Sequence, residues 1–143
     1  MERIVVVGGG YAGFTVAREL EKDLRRELRR GEVELVLVDP RPYMTYQPFL
    51  PEVVAGSVEA RHAAVSHRRH LRRTRLVDGT VTRIDHADRA IVVQPRSGPA
   101  YRLPYGTVVV TAGAVTRVFP VPGRGEHAHG RTHCADAVAR GGR

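Results

Sequence analysis

The sequence predicts an α/β fold built on a parallel sheet, and three observations carry this prediction. The continuously apolar run at residues 3–7 is typical of a parallel strand that is buried on both faces. From Tyr11 to Arg30, apolar residues recur at every third or fourth position, as in an amphipathic helix, and Gly31 is a typical helix stop. A second apolar run, Val33 to Val38, completes a strand–helix–strand unit.

The turn between the first strand and the helix carries a Gly-x-Gly-x-x-Gly pattern at Gly8, Gly10 and Gly13. The first glycine permits the tight turn, the second lets a pyrophosphate approach the backbone, and the third lets the helix pack close to the strand. Phosphates bound there would lie at a helix N-terminus, whose free N–H groups and dipole favour anions. The order of these elements predicts a dinucleotide-binding βαβ unit over residues 3–39.

A carboxylate, Asp39, follows the second apolar run. At this position it can accept hydrogen bonds from the two hydroxyls of a ribose, and its charge would repel a 2'-phosphate, which disfavours NADP. The glycine turn and this acid do not distinguish NAD from FAD, because both dinucleotides contain the adenosine and the pyrophosphate.

The next two segments each have more than one interpretation. We predict a loop over residues 40–60, where prolines alternate with aromatic residues; it either covers a bound cofactor or packs as a surface loop. We predict a basic helix over residues 61–73, because the stretch 61–75 holds six arginines, three histidines and no acidic residue. We interpret its charge as a solvated face. Its histidines lack the Cys, Asp or Glu partners of a metal site.

The pattern then becomes that of strands. Residues 76–103 predict an antiparallel meander of three short strands. The β-branched run over residues 107–111 predicts a last buried strand that enters a close backbone turn at Ala112-Gly113. We assign residues 1–113 to one domain and residues 114–143 to a linker or tail, because glycine and proline punctuate the latter.

Composition excludes several classes of protein. In 143 residues, basic side chains outnumber acidic ones by 23 to 15, which gives a net charge of +8. Cys134 is the only cysteine, which excludes an intrachain disulfide and a Cys-x-x-Cys redox pair. No apolar run approaches the ~20 residues of a membrane-spanning helix. We expect a cytoplasmic protein, soluble or peripheral on the inner face of the plasma membrane, without a nucleic-acid partner.

Five stretches carry a family resemblance: Arg3–Gly13, Gln47–Pro51, Gly79–Asp85, Tyr105–Gly113 and Pro122-Gly123. They resemble the type II NADH dehydrogenases, which are NADH:quinone oxidoreductases of the pyridine nucleotide-disulfide oxidoreductase-like superfamily. The resemblance implies an α/β, Rossmann-like FAD-binding half-domain, with a parallel sheet and an antiparallel β-meander crossover. The family usually has Ala-Thr-Gly after the last strand, where this chain has Thr111-Ala112-Gly113. The resemblance extends to about residue 133.

The resemblance also implies which residues bind FAD. The glycine turn would hold the pyrophosphate, Asp39 the adenosine ribose, and the backbone of Val81 the adenine edge. Gln47 and Pro48 correspond to the loop that runs towards the isoalloxazine, and Ala112-Gly113 to the turn that passes close to the cofactor. The expected FAD-binding residues are Gly8, Gly10, Tyr11, Ala12, Gly13, Asp39, Pro40, Arg41, Gln47, Pro48, Val81, Ala112 and Gly113.

The resemblance implies FAD as the cofactor, with NADH and quinone as partners of a full-length enzyme. In the family, the flavin does the redox chemistry and the protein positions and tunes it. We expect no catalytic acid, base or nucleophile in this chain. Because the chain carries one Gly-x-Gly-x-x-Gly motif, we expect it to lack NADH oxidation by itself. We also expect an exposed apolar sheet edge that favours oligomers or aggregates.

Two other functions fit the same residues. The chain could be a non-catalytic module that binds NAD or FAD, or a gene remnant that binds nothing. A yellow purified protein would indicate a flavin, whereas a colourless protein that binds added NAD would indicate a plain Rossmann module.

Overall fold

The structure, a computed structural model of the chain, describes residues 1–114. Within this range, 3₁₀ helices lie at Gln47–Phe49 and Ala60–Ala63. The α-helices are α1 (Tyr11–Asp23), α2 (Arg25–Arg30), α3 (Leu50–Val54) and α4 (His67–His70). The strands are β1 (Glu2–Val7), β2 (Val33–Asp39), β3 (Tyr43–Thr45), β4 (Ala64–Ser66), β5 (Arg75–Asp85), β6 (Ala90–Pro95), β7 (Tyr101–Pro104) and β8 (Thr107–Val110).

A six-stranded sheet forms the centre of one compact unit, which comprises residues 1–44 and 66–113. Its strands lie in the order β7-β6-β5-β2-β1-β8. β1 is parallel to both β2 and β8, and β2 is parallel to β5. The β5–β6 and β6–β7 pairs are antiparallel. A parallel sheet that continues into an antiparallel meander confirms the predicted fold class.

The core of this unit lies on the central strands. Val5 and Val6 of β1 and Leu35 and Val36 of β2 are each at most 1% exposed. Since successive side chains of a strand point to opposite faces, both faces of these strands are covered. The apolar runs at residues 3–7 and 33–38 therefore form the buried parallel strands that they predicted. The prediction of a buried last strand over residues 107–111 is wrong, because β8 lies at the edge of the sheet and none of its residues is buried. The buried apolar core continues into the meander, where Ile91 of β6 is also fully buried.

Strand β5 joins the parallel and antiparallel parts of the sheet. Its first residues pair with β2, with Arg75 opposite Val36 and Asp78 opposite Asp39. From Gly79 onward it pairs with β6, with a bulge between Val81 and Arg83. Since β2 ends at Asp39, β5 continues beyond the edge at which β2 ends.

The helix predicted over residues 11–30 is divided into α1 and α2. The two helices meet at Leu24, whose φ of −96° and ψ of 24° lie outside the α-helical values. Its N–H still bonds to Leu20 O, and its carbonyl still accepts from the N–H of Leu28. The apolar periodicity therefore continues across the interruption. Gly31 ends α2 in the left-handed conformation (φ +71°), which confirms the predicted glycine stop.

Residues 45–65 belong to a second unit, in which Leu50 and Val53 pack with Ala63. The prediction of a loop over residues 40–60 is wrong, because this range contains β3, a 3₁₀ helix and α3. Pro48 and Pro51 lie in the first positions of these two helices. There the missing proline N–H costs no hydrogen bond and the fixed φ suits a helix, so these prolines begin helices instead of breaking them.

The basic helix predicted over residues 61–73 is also wrong. The segment contains the end of a 3₁₀ helix, strand β4 and the four-residue helix α4. β4 pairs with β3 in a two-stranded sheet, and His67 is only 2% exposed. The segment therefore forms a strand pair and buries one histidine instead of forming a solvated helix. A helix there would also lack stabilising ion pairs, because the stretch has no acidic residue one turn away from its arginines.

Strand β8 lies at one edge of the six-stranded sheet. Val110 at its end is 57% exposed, so the described residues do present an apolar edge there. Association through this edge stays a prediction. Of the helices within residues 1–114, none has both the length and the apolar character needed to cross a bilayer.

Glu34 connects three adjacent strands. Arg3, its neighbour on β1, donates from Nε to Oε2 at 2.5 Å, and Arg75 of β5 donates to Oε1 at 3.1 Å. Burial alone would raise the pKa of Glu34. The hydrogen bonds and positive charges of the two arginines outweigh burial and hold this pKa below its usual value. The folded state therefore favours the carboxylate.

Glu34→Gln should lower the free energy of unfolding by about 1 kcal/mol at pH 7, because it removes the charge and keeps the shape. A carboxylate with a lowered folded-state pKa contributes stability above its unfolded-state pKa of about 4.3 and loses it as the pH falls through the folded-state value. In urea unfolding, the difference from wild type should be full at pH 7 and shrink below about pH 4.

Glu32→Gln is the matched control for this prediction. The Glu32 side chain is 56% exposed and lies 3.7 Å from Arg30, so its loss should cost less than about 0.5 kcal/mol. Equal losses in the two variants, or a Glu34 effect that is constant down to acid pH, would contradict the prediction.

Candidate dinucleotide-binding site

The candidate site lies at the carboxyl ends of the parallel strands, where open α/β sheets bind ligands. β1 ends at Val7 and leads into the glycine turn, and the N–H of Gly8 extends the ladder by donating to Val38 O at 2.8 Å. β2 ends beside this turn at Asp39. All these residues belong to the first unit.

The three motif glycines meet different structural demands. Gly8 has a φ of +96°, and a Cβ there would lie 2.5 Å from the carbonyl oxygen of Thr111. A Cβ on Gly13 would overlap the carbonyl oxygen of Gly8 and lie 2.5 Å from Thr111 Oγ1. A Cβ on Gly10 would meet no atom within 4 Å. The turn therefore needs Gly8 and Gly13 for its own packing, whereas the space at Gly10 is open to a ligand.

Thr111 fastens the end of β8 to this turn. Its N–H donates to Val7 O at 2.8 Å, and its hydroxyl lies 2.9 Å from both Val7 O and Gly8 O. A hydroxyl has one proton, so the two carbonyl oxygens share it. We did not predict this contact. The sequence offered one indication of this contact: Thr111 stands where the resembled family usually has alanine.

Helix α1 begins at this turn with its N-terminus available to an anion. Gly10 is the N-cap residue, no side chain among the described residues caps it, and the first turn holds no acidic residue. The N-terminal partial charge of a 13-residue helix is therefore not neutralised by its own side chains. Tyr11 and Ala12 are exposed on this first turn, as residues beside a pyrophosphate would be.

Asp39 holds two backbone amides. Its Oδ2 accepts from the N–H of Gly9 at 2.6 Å, and its Oδ1 accepts from the N–H of Arg41 at 2.7 Å. The Asp39 side chain is 9% exposed. Each carboxylate oxygen can accept more than one hydrogen bond, so Asp39 can orient the turn and still accept from ribose hydroxyls.

His67 is part of the site, which contradicts the prediction of a solvated helix for its segment. Its Nε2 donates to the carbonyl oxygen of Gly9 at 2.7 Å, and its ring stacks on Phe14 with centroids 6.0 Å apart. Burial lowers the pKa of His67, and the charge of Arg41 adds to this effect; together they outweigh the opposing effects of Gly9 and Asp39. The imidazole is therefore neutral at pH 7. Nothing in the sequence pattern separates it from the exposed histidines nearby.

A cavity of about 250 Å³ lies beside Asp39. This volume is somewhat below the roughly 300–1,000 Å³ of pockets that enclose drug-sized ligands, so it has room for part of a dinucleotide. Two of the predicted site residues, Asp39 and Arg41, line it. The lining comes from the end of β2, the start of β5 and the segments beside them: Leu37, Asp39, Arg41, Pro42, Ser66, His67, Arg68, Leu76, Val77 and Asp78.

The other predicted residues do not line this cavity. Pro40 is exposed, and its carbonyl accepts from Arg96 at 2.8 Å. Val81 lies on β5 three residues beyond Asp78 and packs against the core. Ala112 and Gly113 follow β8 and are exposed, and Gly113 has a φ of +71°. Gln47 and Pro48 are exposed residues of the second unit.

No group of three or more His, Cys, Asp or Glu side chains within residues 1–114 could hold a metal ion. His67 donates to a backbone carbonyl, and Asp39 accepts from backbone amides. Both side chains therefore hold the backbone at Gly9.

Comparison with known proteins shows which family shares these features. The family model described as pyridine nucleotide-disulphide oxidoreductase matches residues 2–140. The type II NADH:quinone oxidoreductase Ndh of Mycobacterium tuberculosis is 31% identical over an alignment that covers 99% of this chain and 29% of the relative. The mitochondrial external alternative NAD(P)H-ubiquinone oxidoreductase B2 of Arabidopsis thaliana is 26% identical, with 95% and 24% covered. The chain thus spans 24–29% of the length of these relatives.

Solved structures share the fold. NDH2 from Plasmodium falciparum in complex with NADH matches with a TM-score of 0.84 at 23% identity, over 98% of this chain and 28% of that one. The sulfide:quinone oxidoreductase from Aquifex aeolicus matches with a TM-score of 0.81 at 18% identity, over 99% and 31%. At these identities the likeness concerns the fold alone.

The close packing of the turn predicts opposite results for two glycine-to-alanine changes. Gly13→Ala should lower the free energy of unfolding by about 3 kcal/mol or more, because the new methyl group meets backbone atoms that cannot move aside. Gly10→Ala should change it by less than about 1 kcal/mol, because its methyl group enters open space. Urea unfolding measures both. Similar losses in the two variants would contradict the described packing.

Proposed function

Because the chain belongs to the pyridine nucleotide-disulphide oxidoreductase family, we propose that it binds FAD at the carboxyl edge of its sheet. The flavoenzymes of this family bind FAD and use NADH. The observation that carries the proposal is the arrangement around Gly9 and Gly10: an open helix N-terminus, a carboxylate that holds the turn, and a cavity beside that carboxylate.

The described residues fit the adenosine and pyrophosphate of FAD. The open space at Gly10 admits a phosphate to the N-terminus of α1. Asp39, beside it, has free acceptor capacity for the ribose hydroxyls, and the cavity that it lines has room for the adenine. The carboxylate would repel a 2'-phosphate, so the site favours a dinucleotide without one. We propose Val81 as a backbone contact to the adenine edge.

FAD, when bound, supplies the redox chemistry, and the chain supplies binding and orientation. We propose that Gln47, Pro48 and the Ala112-Gly113 turn lie towards the flavin end. Among residues 1–114, the site contains no arrangement of nucleophile, base and orienting group. We therefore assign no catalytic role to any residue of this described range.

We further propose that the chain contributes this site to an NADH:quinone oxidoreductase reaction. The support is that the relatives named above are oxidoreductases of this type, while the chain spans 24–29% of their length. NADH and a quinone would be the other substrates. By itself the chain carries one Gly-x-Gly-x-x-Gly turn, which suits one dinucleotide and leaves none for a second.

Peripheral membrane association on the cytoplasmic side is part of this proposal. A quinone substrate is held in a membrane, and the net charge of +8 favours contact with anionic lipids. The second candidate function is a non-catalytic module that binds NAD in the same turn. The geometry of the glycine turn is common to both dinucleotides, so flavin binding decides between them.

Removing the charge of Asp39 should weaken FAD binding. In a titration followed by flavin fluorescence, Asp39→Asn should raise the Kd at least tenfold, because the amide offers one acceptor oxygen in place of two charged ones. Asp88→Asn is the matched control, since Asp88 is exposed and pairs with Arg102 at 2.7 Å; its Kd should stay within twofold. A wild-type chain that binds NAD but no FAD would contradict the FAD proposal.

The purified chain loaded with FAD should show no steady oxidation of NADH with a soluble quinone. The single glycine turn is then occupied by FAD, and the described residues offer no second dinucleotide site of this kind. Absorbance at the NADH band measures the reaction, with an intact type II enzyme as the positive control. Sustained turnover by this chain alone would contradict the division of function that we propose.

A further inference from the structure

We propose that His67 is a positioning residue for the phosphate-binding turn: it holds the Gly9–Gly10 peptide so that the N–H of Gly10 faces the anion. This inference deepens the proposed function and rests on it for the identity of the anion. It concerns the orientation of one peptide group, and this orientation can be tested without a ligand.

Both polar groups of Gly9 are held by side chains from distant parts of the chain. Its N–H donates to Asp39 Oδ2 at 2.6 Å. Its carbonyl accepts from His67 Nε2 at 2.7 Å. The two contacts leave Gly9 little freedom to rotate either of its flanking peptides, so the turn is organised before any ligand binds.

The direction of the Gly10 N–H follows from peptide geometry. In a planar trans peptide, the carbonyl of one residue and the N–H of the next point in opposite directions. The described residues contain no cis peptide bond. Since the Gly9 carbonyl points to the buried His67 ring, the Gly10 N–H points away from that ring. Gly10 is exposed, so this donor faces the side from which a phosphate would approach.

The fit of His67 also explains a glycine that the motif does not require. Gly9 is a free position of the Gly-x-Gly-x-x-Gly pattern, yet a Cβ there would overlap His67 Cε1 and lie 2.9 Å from Nε2. The imidazole therefore occupies the space next to a bare backbone. The Phe14 ring also stacks on the His67 imidazole, with an interplanar angle of 24°. The imidazole of His67 and the absent side chain of Gly9 therefore fit each other.

Burial keeps the imidazole of His67 in the form that this role needs, against the opposing charge of Asp39. A carbonyl only accepts, so Nε2 carries the proton. The charged groups that line the same cavity are Asp39, Arg41, Arg68 and Asp78, and His70 approaches Phe14 from the same helix. Burial and Arg41 favour the neutral ring. A neutral donor adds no positive charge that would compete with the Gly10 N–H for the anion.

The experiment compares His67→Leu, His67→Gln and His70→Leu in the 143-residue chain. Leucine fills the space without a donor, whereas glutamine can place an amide N–H near the position of Nε2. His70→Leu is the matched control, because His70 also contacts Phe14 but is exposed. Two quantities are measured: the chemical shift of the Gly10 amide without ligand, and the Kd for FAD by flavin fluorescence.

We expect the Gly10 amide shift to change at least threefold more in His67→Leu than in His67→Gln or His70→Leu. We expect the Kd for FAD to rise at least tenfold in His67→Leu, to stay within threefold in His67→Gln and within twofold in His70→Leu. A purely structural histidine would not be rescued by glutamine. Equal effects in the leucine and glutamine variants would overturn the assignment.

The two readouts separate this inference from the proposed function. If the wild-type chain binds no FAD, the proposed function fails, and the Gly10 amide shifts still decide the role of His67. An unchanged Gly10 shift in His67→Leu overturns the role whatever the affinity for FAD. If His67→Leu does not fold, His67→Asn replaces it, because its shorter amide does not reach the Gly9 carbonyl; a glutamine variant no better than asparagine then overturns the assignment.

Discussion

The candidate site depends on the close approach of three backbone segments around Gly8. The end of β1, the first turn of α1 and the residue after β8 lie so near one another that side chains on Gly8 or Gly13 would overlap the backbone. The Thr111 hydroxyl binds the carbonyl oxygens of Val7 and Gly8 at the same place. This contact sets where the N-terminus of α1 lies relative to the sheet edge, and hence where a phosphate can meet its free N–H groups.

Asp39 and Glu21 each bind backbone amides beside the sheet. Asp39 accepts from Gly9 and Arg41. Glu21 of α1 accepts from the consecutive N–H groups of Arg72, Arg73 and Thr74, at 3.2, 2.7 and 2.7 Å. In both places the acid supplies acceptors that turns outside regular secondary structure lack. A chain with few acidic residues thus uses some of them to hold the segments that lead into and out of the sheet.

The division between the two described units bears on function. The glycine turn, Asp39, His67 and the cavity all lie in the unit of residues 1–44 and 66–113. The residues that the family resemblance places towards the flavin ring, Gln47 and Pro48, lie in the other unit. In the function that we propose, the first unit binds the adenosine and pyrophosphate and also supplies the Ala112-Gly113 turn towards the flavin end.

The sequence by itself determined the parallel core, the glycine turn and the acid at the end of β2, because each is a local pattern with a local physical cause. It also determined the meander, whose alternating strands follow one another along the chain. Only the tertiary structure decided the course of residues 40–73, where prolines begin helices and strand pairing replaces a predicted helix. The same holds for His67 and Thr111. His67 contacts Gly9, which lies 58 residues earlier in the chain, and Thr111 contacts Gly8, which lies 103 residues earlier. A local sequence pattern carries no information about contacts between residues so far apart.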